Sequence, residues 1–190
     1  MRGIFGGAFD PPHNGHVALL RAARQALDLD DAVVVVAGSP GHKKVPTPAA
    51  VRLALTRAAF PGEAVVLDEH DRTVDMLRDH PEWQGATFLL GADEFAGFLD
   101  WKEPEEVLIL VRVGVATRPG YPRERLDPVI AALAAPERVV FFDLEPLPIS
   151  SRELRAALDG GQDVHELVPP AVWEMIERDG LYGRSYTEPA

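Results

Sequence analysis

Two histidines three residues apart lie in a loop whose composition suits phosphate binding. The stretch "GIFGGAFDPPHNGHVALL" at 3–20 leads from a short apolar strand into a helical pattern, with His13 and His16 at the junction. Gly6 and Gly7 allow the backbone to turn sharply and to approach a bulky anion closely. Histidine side chains can donate hydrogen bonds to phosphate oxygens, and a helix start offers free N–H groups to them. This stretch therefore predicts a phosphate site.

Two other interpretations of the same loop remain open. In the first, prolines stiffen the loop, Asn14 caps the helix, and both histidines are incidental. In the second, His13 and His16 bind zinc, although no third ligand stands at a typical spacing and the chain has no cysteine.

A second segment, "SPGHKK" at 39–44, places Lys43 and Lys44 just after a strand that ends near Ala37. Charge pairs of this kind usually belong to solvated loops. Because the loop follows a strand of the predicted sheet, the two lysines are also placed to meet the same anion.

A third segment, "PISSRELR" at 148–155, combines Ser150 with Glu153 in the pattern of a capping box, which predicts a helix start. Capping alone would explain these two residues. Ser151 and Arg155 are four apart and share a face of the predicted helix, so a hydroxyl and a guanidinium can converge on phosphate oxygens there.

The elements that would position these segments alternate along the chain. Short β-branched runs predict strands at 3–5, 32–38, 64–67, 87–91, 113–118 and 138–143. Amphipathic stretches predict helices near 15–28, 48–60, 73–80, 103–110, 126–135, 150–159 and 170–178. This alternation predicts an α/β fold with a mainly parallel sheet and helices on both faces, whose ligands bind at the carboxyl ends of the strands.

Composition narrows the class of protein. The 190 residues predict one domain over 1–183 and a disordered polar tail at 184–190. No apolar run is long enough to span a bilayer and no signal peptide is evident, so we expect a cytoplasmic protein without a membrane partner. A net charge of −11 disfavours nucleic-acid binding. The oligomeric state is left open, a homo-oligomer included.

The motifs carry a family resemblance. "GGAFDPPHNGH" and the later "ISSRELR" resemble the paired signatures of the HxGH nucleotidyltransferase superfamily, which has a Rossmann-like three-layer sandwich fold. Further segments resemble the bacterial nicotinate-nucleotide adenylyltransferase family, and together they extend over nearly the whole chain: "GSPGHKK", "RTVDML", "LLGADEFAGFLDW", "VATRPGY" and "LVPPAVWEMIERDGLYG".

The resemblance implies an activity. It implies transfer of AMP from ATP to nicotinate mononucleotide, giving deamido-NAD and pyrophosphate, with both substrates as small-molecule partners. Mg²⁺ would accompany ATP, held by its phosphates and not by protein ligands. The attacking group is a phosphate monoester whose second pKa of about 6 leaves it ionised at neutral pH, so no enzyme base is needed.

The resemblance also implies roles for individual residues. His13, His16, Lys43 and Arg155 would be catalytic. Contacts to ATP would come from Gly6, Gly7, Ala8, Phe9, His13, His16, Gly91, Asp93, Ser150, Ser151 and Arg155. Contacts to the acceptor would come from Lys43, Thr73, Trp101 and Arg118, with Trp101 stacking on the nicotinate ring.

Several alternatives stay open at this stage. Trp101 would also suit a core position and Asp93 a helix N-cap. Ala8 and Lys102 depart from the family's usual threonine and aromatic residue. The acceptor could instead be nicotinamide mononucleotide or phosphopantetheine, the transferred group could be CMP, or the chain could be a nucleotide-binding regulator without turnover.

Overall fold

The structure is a computed structural model that describes residues 1–39, 45–117, 123–145 and 147–183. In these ranges the strands are β1 (Arg2–Gly7), β2 (Asp31–Ala37), β3 (Ala64–Asp68), β4 (Thr87–Gly91), β5 (Arg112–Thr117) and β6 (Val139–Asp143). The helices are α1 (Asn14–Ala26), α2 (Ala49–Ala59), α3 (Thr73–Asp79), α4 (Ala92–Phe95), α5 (Pro104–Leu110), α6 (Asp127–Ala132), α7 (Ser151–Asp159) and α8 (Pro170–Arg178).

The six strands form one parallel sheet in the order β3-β2-β1-β4-β5-β6. On one side of β1, strands β2 and β3 follow in order toward the edge of the sheet. After β3 the chain crosses to the other side of β1, where β4, β5 and β6 follow in order toward the opposite edge. The direction of winding therefore reverses between β1 and β4. In open α/β sheets the carboxyl ends of the strands at such a switch point form the ligand crevice.

Both faces of the sheet are covered because alternate residues of each strand point to opposite sides. Ile4 and Phe5 of β1 belong to different core clusters, as do Val33 and Val34 of β2. One cluster includes buried residues of α3, α4, α5 and α6, and the other those of α1, α2, α7 and α8. The predicted three-layer α/β sandwich is confirmed.

The predicted elements lie within a few residues of the observed ones. The exceptions have physical reasons. The helix predicted near 126–135 ends at Ala132, where the Ala134 amide donates to the Glu105 carboxylate at 3.1 Å and Pro136 follows. The short helix α4 was not predicted, because four residues are too few for a periodic pattern. No helix in the described ranges is long and apolar enough to cross a membrane.

Candidate functional site

A cleft of about 1750 Å³ opens at the carboxyl ends of the central strands. Its walls include the ends of β1 and β4, which flank the switch point, and the starts of α1 and α7. Every predicted site residue that the structure describes lines this cleft: Gly6, Gly7, Ala8, Phe9, His13, His16, Thr73, Gly91, Asp93, Trp101, Ser150, Ser151 and Arg155.

His13 and His16 meet at the start of α1. Their ring centroids are 3.7 Å apart, and the His13 backbone N–H donates to Nδ1 of His16 at 3.1 Å. An imidazole nitrogen that accepts a hydrogen bond carries no proton, so the neutral His16 ring holds its proton on Nε2. This tautomer makes Nε2 of His16 a hydrogen-bond donor.

His13 is buried, with 6% of its surface exposed, and burial lowers its pKa to about 4. The ring is therefore neutral at pH 7. Its Nδ1 is buried and has no hydrogen-bond partner in the described part of the chain. The ring packs on Gly15, where a Cβ would lie 3.0 Å from it, so the glycine of the HxGH pattern makes room for the first histidine.

His13, and not Asn14, is the N-cap residue of α1. Asn14 is the first residue of the helix, and its side-chain amide donates to the Glu166 carbonyl at 2.8 Å. The interpretation that Asn14 caps the helix is therefore wrong. Both histidines are integral to the helix start.

The burial of His13 predicts a pH dependence of stability. An unfolded His13 titrates near 6.5 and the folded one near 4, so between these values the unfolded chain binds a proton that the native chain does not. The buried neutral His13 ring therefore adds its full contribution to the free energy of unfolding only above pH 6.5, the pKa of the unfolded residue. About 2 kcal/mol of this contribution is lost between pH 7 and pH 5. We expect His13→Gln to remove this component, as measured by urea unfolding at both pH values. Equal pH slopes in the two proteins would contradict the prediction.

The paired glycines do not make the turn that their sequence suggested. Gly6 and Gly7 belong to β1, paired with Val35 and Val36 of β2. The chain instead adopts a positive φ of 50° at Phe9. The prediction of a sharp turn at the glycines is therefore wrong, because the sheet continues through them.

Gly7 and Phe9 are matched to each other. A Cβ on Gly7 would lie 2.9 Å from the Phe9 ring, so the strand end must be glycine for the ring to fit. The ring is 1% exposed and packs edge-on against Phe5 and His16, with centroids 5.4 and 5.0 Å away. Phe9 thus anchors the loop in the core and supports the His16 ring.

The start of α7 forms the opposite wall. Ser150 caps this helix, because its hydroxyl accepts from the Glu153 amide at 3.2 Å and donates to the Glu153 carboxylate at 2.6 Å. Ser151 donates to the Pro11 carbonyl at 2.9 Å, and Arg155 donates through Nη1 to the Asp10 carbonyl. Ser151 and Arg155 share a side of α7 as predicted, and both hold the loop that follows β1.

Gly91 and Asp93 lie at the end of β4. A Cβ on Gly91 would be 2.8 Å from Oδ1 of Asp93, so the carboxylate folds back over the strand end. The N-cap residue of α4 is Gly91, and the alternative interpretation of Asp93 as the cap is therefore wrong.

Trp101 and Thr73 form the far end of the cleft. Trp101 is half-buried and packs against Phe98 and Phe88, with centroids 5.2 and 6.2 Å away. It therefore belongs to the edge of the core and to the cleft wall at once. Lys102, where the family usually has an aromatic residue, instead forms an ion pair with Asp75 at 2.8 Å.

Lys43, Lys44, Arg118 and the tail 184–190 lie outside the described residues. The flanks of the lysine segment are described, and Ala37, Val45 and Pro46 line the same cleft as the histidine loop.

Sequence reasoning missed Arg52, which is 1% exposed and lies behind the cleft. Its guanidinium donates to four backbone carbonyls, those of Ala8, Ala37, Gly38 and Thr47, at 2.7 to 3.0 Å. Arg52 thus joins the chain leaving β1 to the chain leaving β2. A signal was available: in "AAVRLALTRAA" it shares a helical face with Leu55 and Ala59, where an apolar residue would be expected.

Comparisons with known proteins agree with this geometry. Residues 4–157 match the cytidylyltransferase-like family. A Thermus thermophilus protein named probable nicotinate-nucleotide adenylyltransferase is 37% identical over 192 residues, which cover 95% of this chain and 98% of the relative. A Bordetella avium protein of the same name is 35% identical over 190 residues, covering 95% and 96%.

Solved structures show the same fold. Plasmodium falciparum nicotinic acid mononucleotide adenylyltransferase complexed with NaAD superimposes with a TM-score of 0.77 over 98% of both chains. Its sequence identity is 19%, so this likeness supports the fold alone.

Proposed function

The chain belongs to the nicotinate-nucleotide adenylyltransferase family, and from that membership we propose that it transfers AMP from ATP to nicotinate mononucleotide, giving deamido-NAD and pyrophosphate. One observation carries the proposal most directly. The starts of α1 and α7 converge on one loop at the sheet's switch point, in a cleft that also contains an aromatic wall at Trp101. We place the reaction in the cytoplasm, the compartment that supplies ATP.

The triphosphate would lie between the two helix starts. His16 would donate from Nε2 to the reacting α-phosphate, since its Nδ1 is already occupied by the His13 amide. Ser150, Ser151 and Arg155 would hold the β- and γ-phosphates. Helix N-termini with hydroxyl, imidazole and guanidinium donors are a favourable environment for such anions.

The chemistry needs alignment and charge stabilisation. An oxygen of the acceptor's phosphate attacks the α-phosphorus, the new P–O bond forms, the bond to the β-phosphate breaks, and pyrophosphate leaves with its electron pair. The acceptor phosphate is already ionised at neutral pH, so no group of the chain must remove a proton. Preorganised donors stabilise the charge that develops on the transferring and departing groups.

Mg²⁺ enters the proposal with ATP. His13, His16 and Arg155 line the cleft at the proposed phosphate site, and their nitrogen groups suit phosphate oxygens, whereas Mg²⁺ prefers oxygen ligands. Phosphate oxygens and water would therefore hold the cation, which would neutralise part of the phosphate charge.

The acceptor would bind at the Trp101 end. Thr73 and Trp101 would border the nicotinate ring of the acceptor. Gly91 and Asp93 would instead contact the ribose of ATP. Lys43 and Arg118 remain predicted anion contacts. The Lys102 ammonium donates to the Asp75 carboxylate on α3. We therefore expect Lys102 to lie at the rim of the acceptor pocket.

The test is pyrophosphate release from ATP and Mg²⁺ with three acceptors in separate reactions. We expect nicotinate mononucleotide to be strongly preferred over nicotinamide mononucleotide and phosphopantetheine. A preference for either rival would reassign the acceptor, and CTP in place of ATP tests the transferred group. Failure of all three acceptors to support release would contradict the proposed activity and favour a nucleotide-binding regulator without turnover.

Replacing Trp101 with alanine is expected to raise the KM for nicotinate mononucleotide about 5-fold, because ring stacking contributes about 1 kcal/mol. The KM for ATP should stay within about twofold, since the triphosphate site is built on other elements. Steady-state kinetics with each substrate varied in turn provide the measurement. Trp173→Ala, on the opposite face of the sheet, is the matched control. An unchanged acceptor KM in Trp101→Ala would assign Trp101 to the core alone.

A further inference from the structure

Asp10 is a buried carboxylate inside the candidate phosphate loop. It is 1% exposed, and its Oδ1 accepts a hydrogen bond from the Tyr182 hydroxyl at 2.9 Å. Its Oδ2 has no hydrogen-bond partner in the described ranges and lies 3.6 Å from Nη1 of Arg155. Buried carboxylates are costly unless they are paired, so the Tyr182 hydroxyl and the Arg155 guanidinium both stabilise this loop conformation.

Tyr182 reaches Asp10 across 172 residues of sequence. It lies in the turn Leu181–Gly183 that follows α8, with a φ of 61°, which is unfavourable for a non-glycine residue. Such a conformation persists where the surrounding contacts hold it in place. Gly183 packs against Asp159 at the end of α7, so this turn contacts the helix that carries Ser151 and Arg155.

The Tyr182 hydroxyl remains a donor throughout the physiological range. Burial, and after it the nearby Asp10 carboxylate, raises the pKa of Tyr182 above its ordinary value of 10. At neutral pH the interaction is therefore a hydrogen bond that a neutral phenol donates to Asp10.

We infer that Tyr182 is a positioning residue for the proposed reaction, because its hydrogen bond to Asp10 fixes the loop that presents His13 and His16 to the phosphates. Several of the described residues hold this loop from behind. Tyr182 binds the Asp10 side chain, Arg155 binds the Asp10 carbonyl, and Arg52 binds the Ala8 carbonyl. Tyr182 comes from beyond the family match, which ends at residue 157. The inference rests on the proposed function.

Tyr182→Phe tests the inference because it removes one hydroxyl and keeps the ring. We expect the turnover number to fall about 10-fold, which corresponds to loss of one hydrogen bond to a charged group. The KM for nicotinate mononucleotide should change less than about twofold, since Trp101 and Thr73 stand on other elements. In an Asp10→Ala background, Tyr182→Phe should lower the turnover number less than about twofold, because the carboxylate that accepts the Tyr182 hydrogen bond is already absent.

The matched control is Leu181→Ala, one residue away in the same turn, because the apolar Leu181 side chain packs against the core and cannot donate a hydrogen bond to Asp10. It should lower the melting temperature at least as much as Tyr182→Phe does and leave the turnover number of the folded enzyme unchanged. An equal loss of turnover in both variants would overturn the positioning role, and so would a wild-type turnover number in Tyr182→Phe.

Hydrogen exchange separates this inference from the proposed function. We expect amides of residues 8–16 to exchange faster in Tyr182→Phe than in wild type, with amides of β4 and β5 unchanged. If the wild-type protein releases no pyrophosphate, the proposed function fails while the exchange result still decides whether Tyr182 fixes the loop. Unchanged exchange over 8–16 would overturn the inference whatever the activity.

Discussion

Replacing His16 with alanine is expected to lower the turnover number at least about 100-fold, the usual effect of deleting one preorganised donor to a developing charge. The orientation of the ring is set by the His13 amide at Nδ1, by the His13 ring at 3.7 Å and by the Phe9 ring at 5.0 Å. Water in the vacated space would lack this fixed orientation. The interaction is strongest in the transition state, so the KM for ATP should change much less than the turnover number.

The measurement is pyrophosphate release at saturating substrates, together with thermal unfolding to show that the variant is folded. His165→Ala is a suitable control, because His165 is a surface histidine whose ring contacts Asp163 at 2.9 Å. Full turnover in His16→Ala would remove His16 from the reaction and with it the central part of the proposed mechanism.

The second large effect is expected from Arg52→Met, which should reduce the free energy of unfolding by about 3 to 5 kcal/mol. The substitution leaves four backbone carbonyls without their donor, three of them at the ends of β1 and β2 and one, that of Thr47, just before α2. Each buried group left without a partner costs about 1 to 3 kcal/mol. Methionine fills part of the space and removes a desolvated charge, which offsets some of this loss. Desolvation by burial lowers the pKa of Arg52, and the nearby Asp10 carboxylate acts against that shift.

Urea unfolding at pH 7 measures the effect. Arg57→Met is the matched control, since it makes the same substitution on the exposed face of α2 and should change the free energy of unfolding by less than about 0.5 kcal/mol. Because Arg52 holds the Ala8 carbonyl, activity should also fall in the folded variant. Equal stability of the two variants would show that the four hydrogen bonds contribute nothing net.

The elements of the fold could be predicted because each has a local signal. The run "AVVVVAG" indicates a buried strand, and the periodic apolar residues of α1 and α7 indicate helices, so alternation alone implied the parallel sheet. The order of strands has no such signal, since it depends on which side of β1 the chain crosses after β3. The family resemblance implied the Rossmann-like sandwich, and the order of the strands was not predicted.

Candidate site residues could be predicted where their neighbours in sequence suffice. His13 and His16 are three apart at a helix start, and their meeting follows from helix geometry. Arg52 and Tyr182 act through contacts far along the chain, with Ala8 and Asp10 respectively, and no short motif indicates such pairs. The turn predicted at the paired glycines was wrong because the sequence does not distinguish two uses of glycine. One glycine forms a turn, whereas another, such as Gly7, leaves space for a neighbouring ring.

The central place of β1 has a consequence for folding. β1 pairs with β2 on one side and with β4 on the other, and its outgoing loop is held by residues as distant as Tyr182. Contacts with such sequence separation form late, since the intervening chain must first be ordered. We therefore expect refolding to restore the far-ultraviolet circular dichroism of the helices before it restores catalysis.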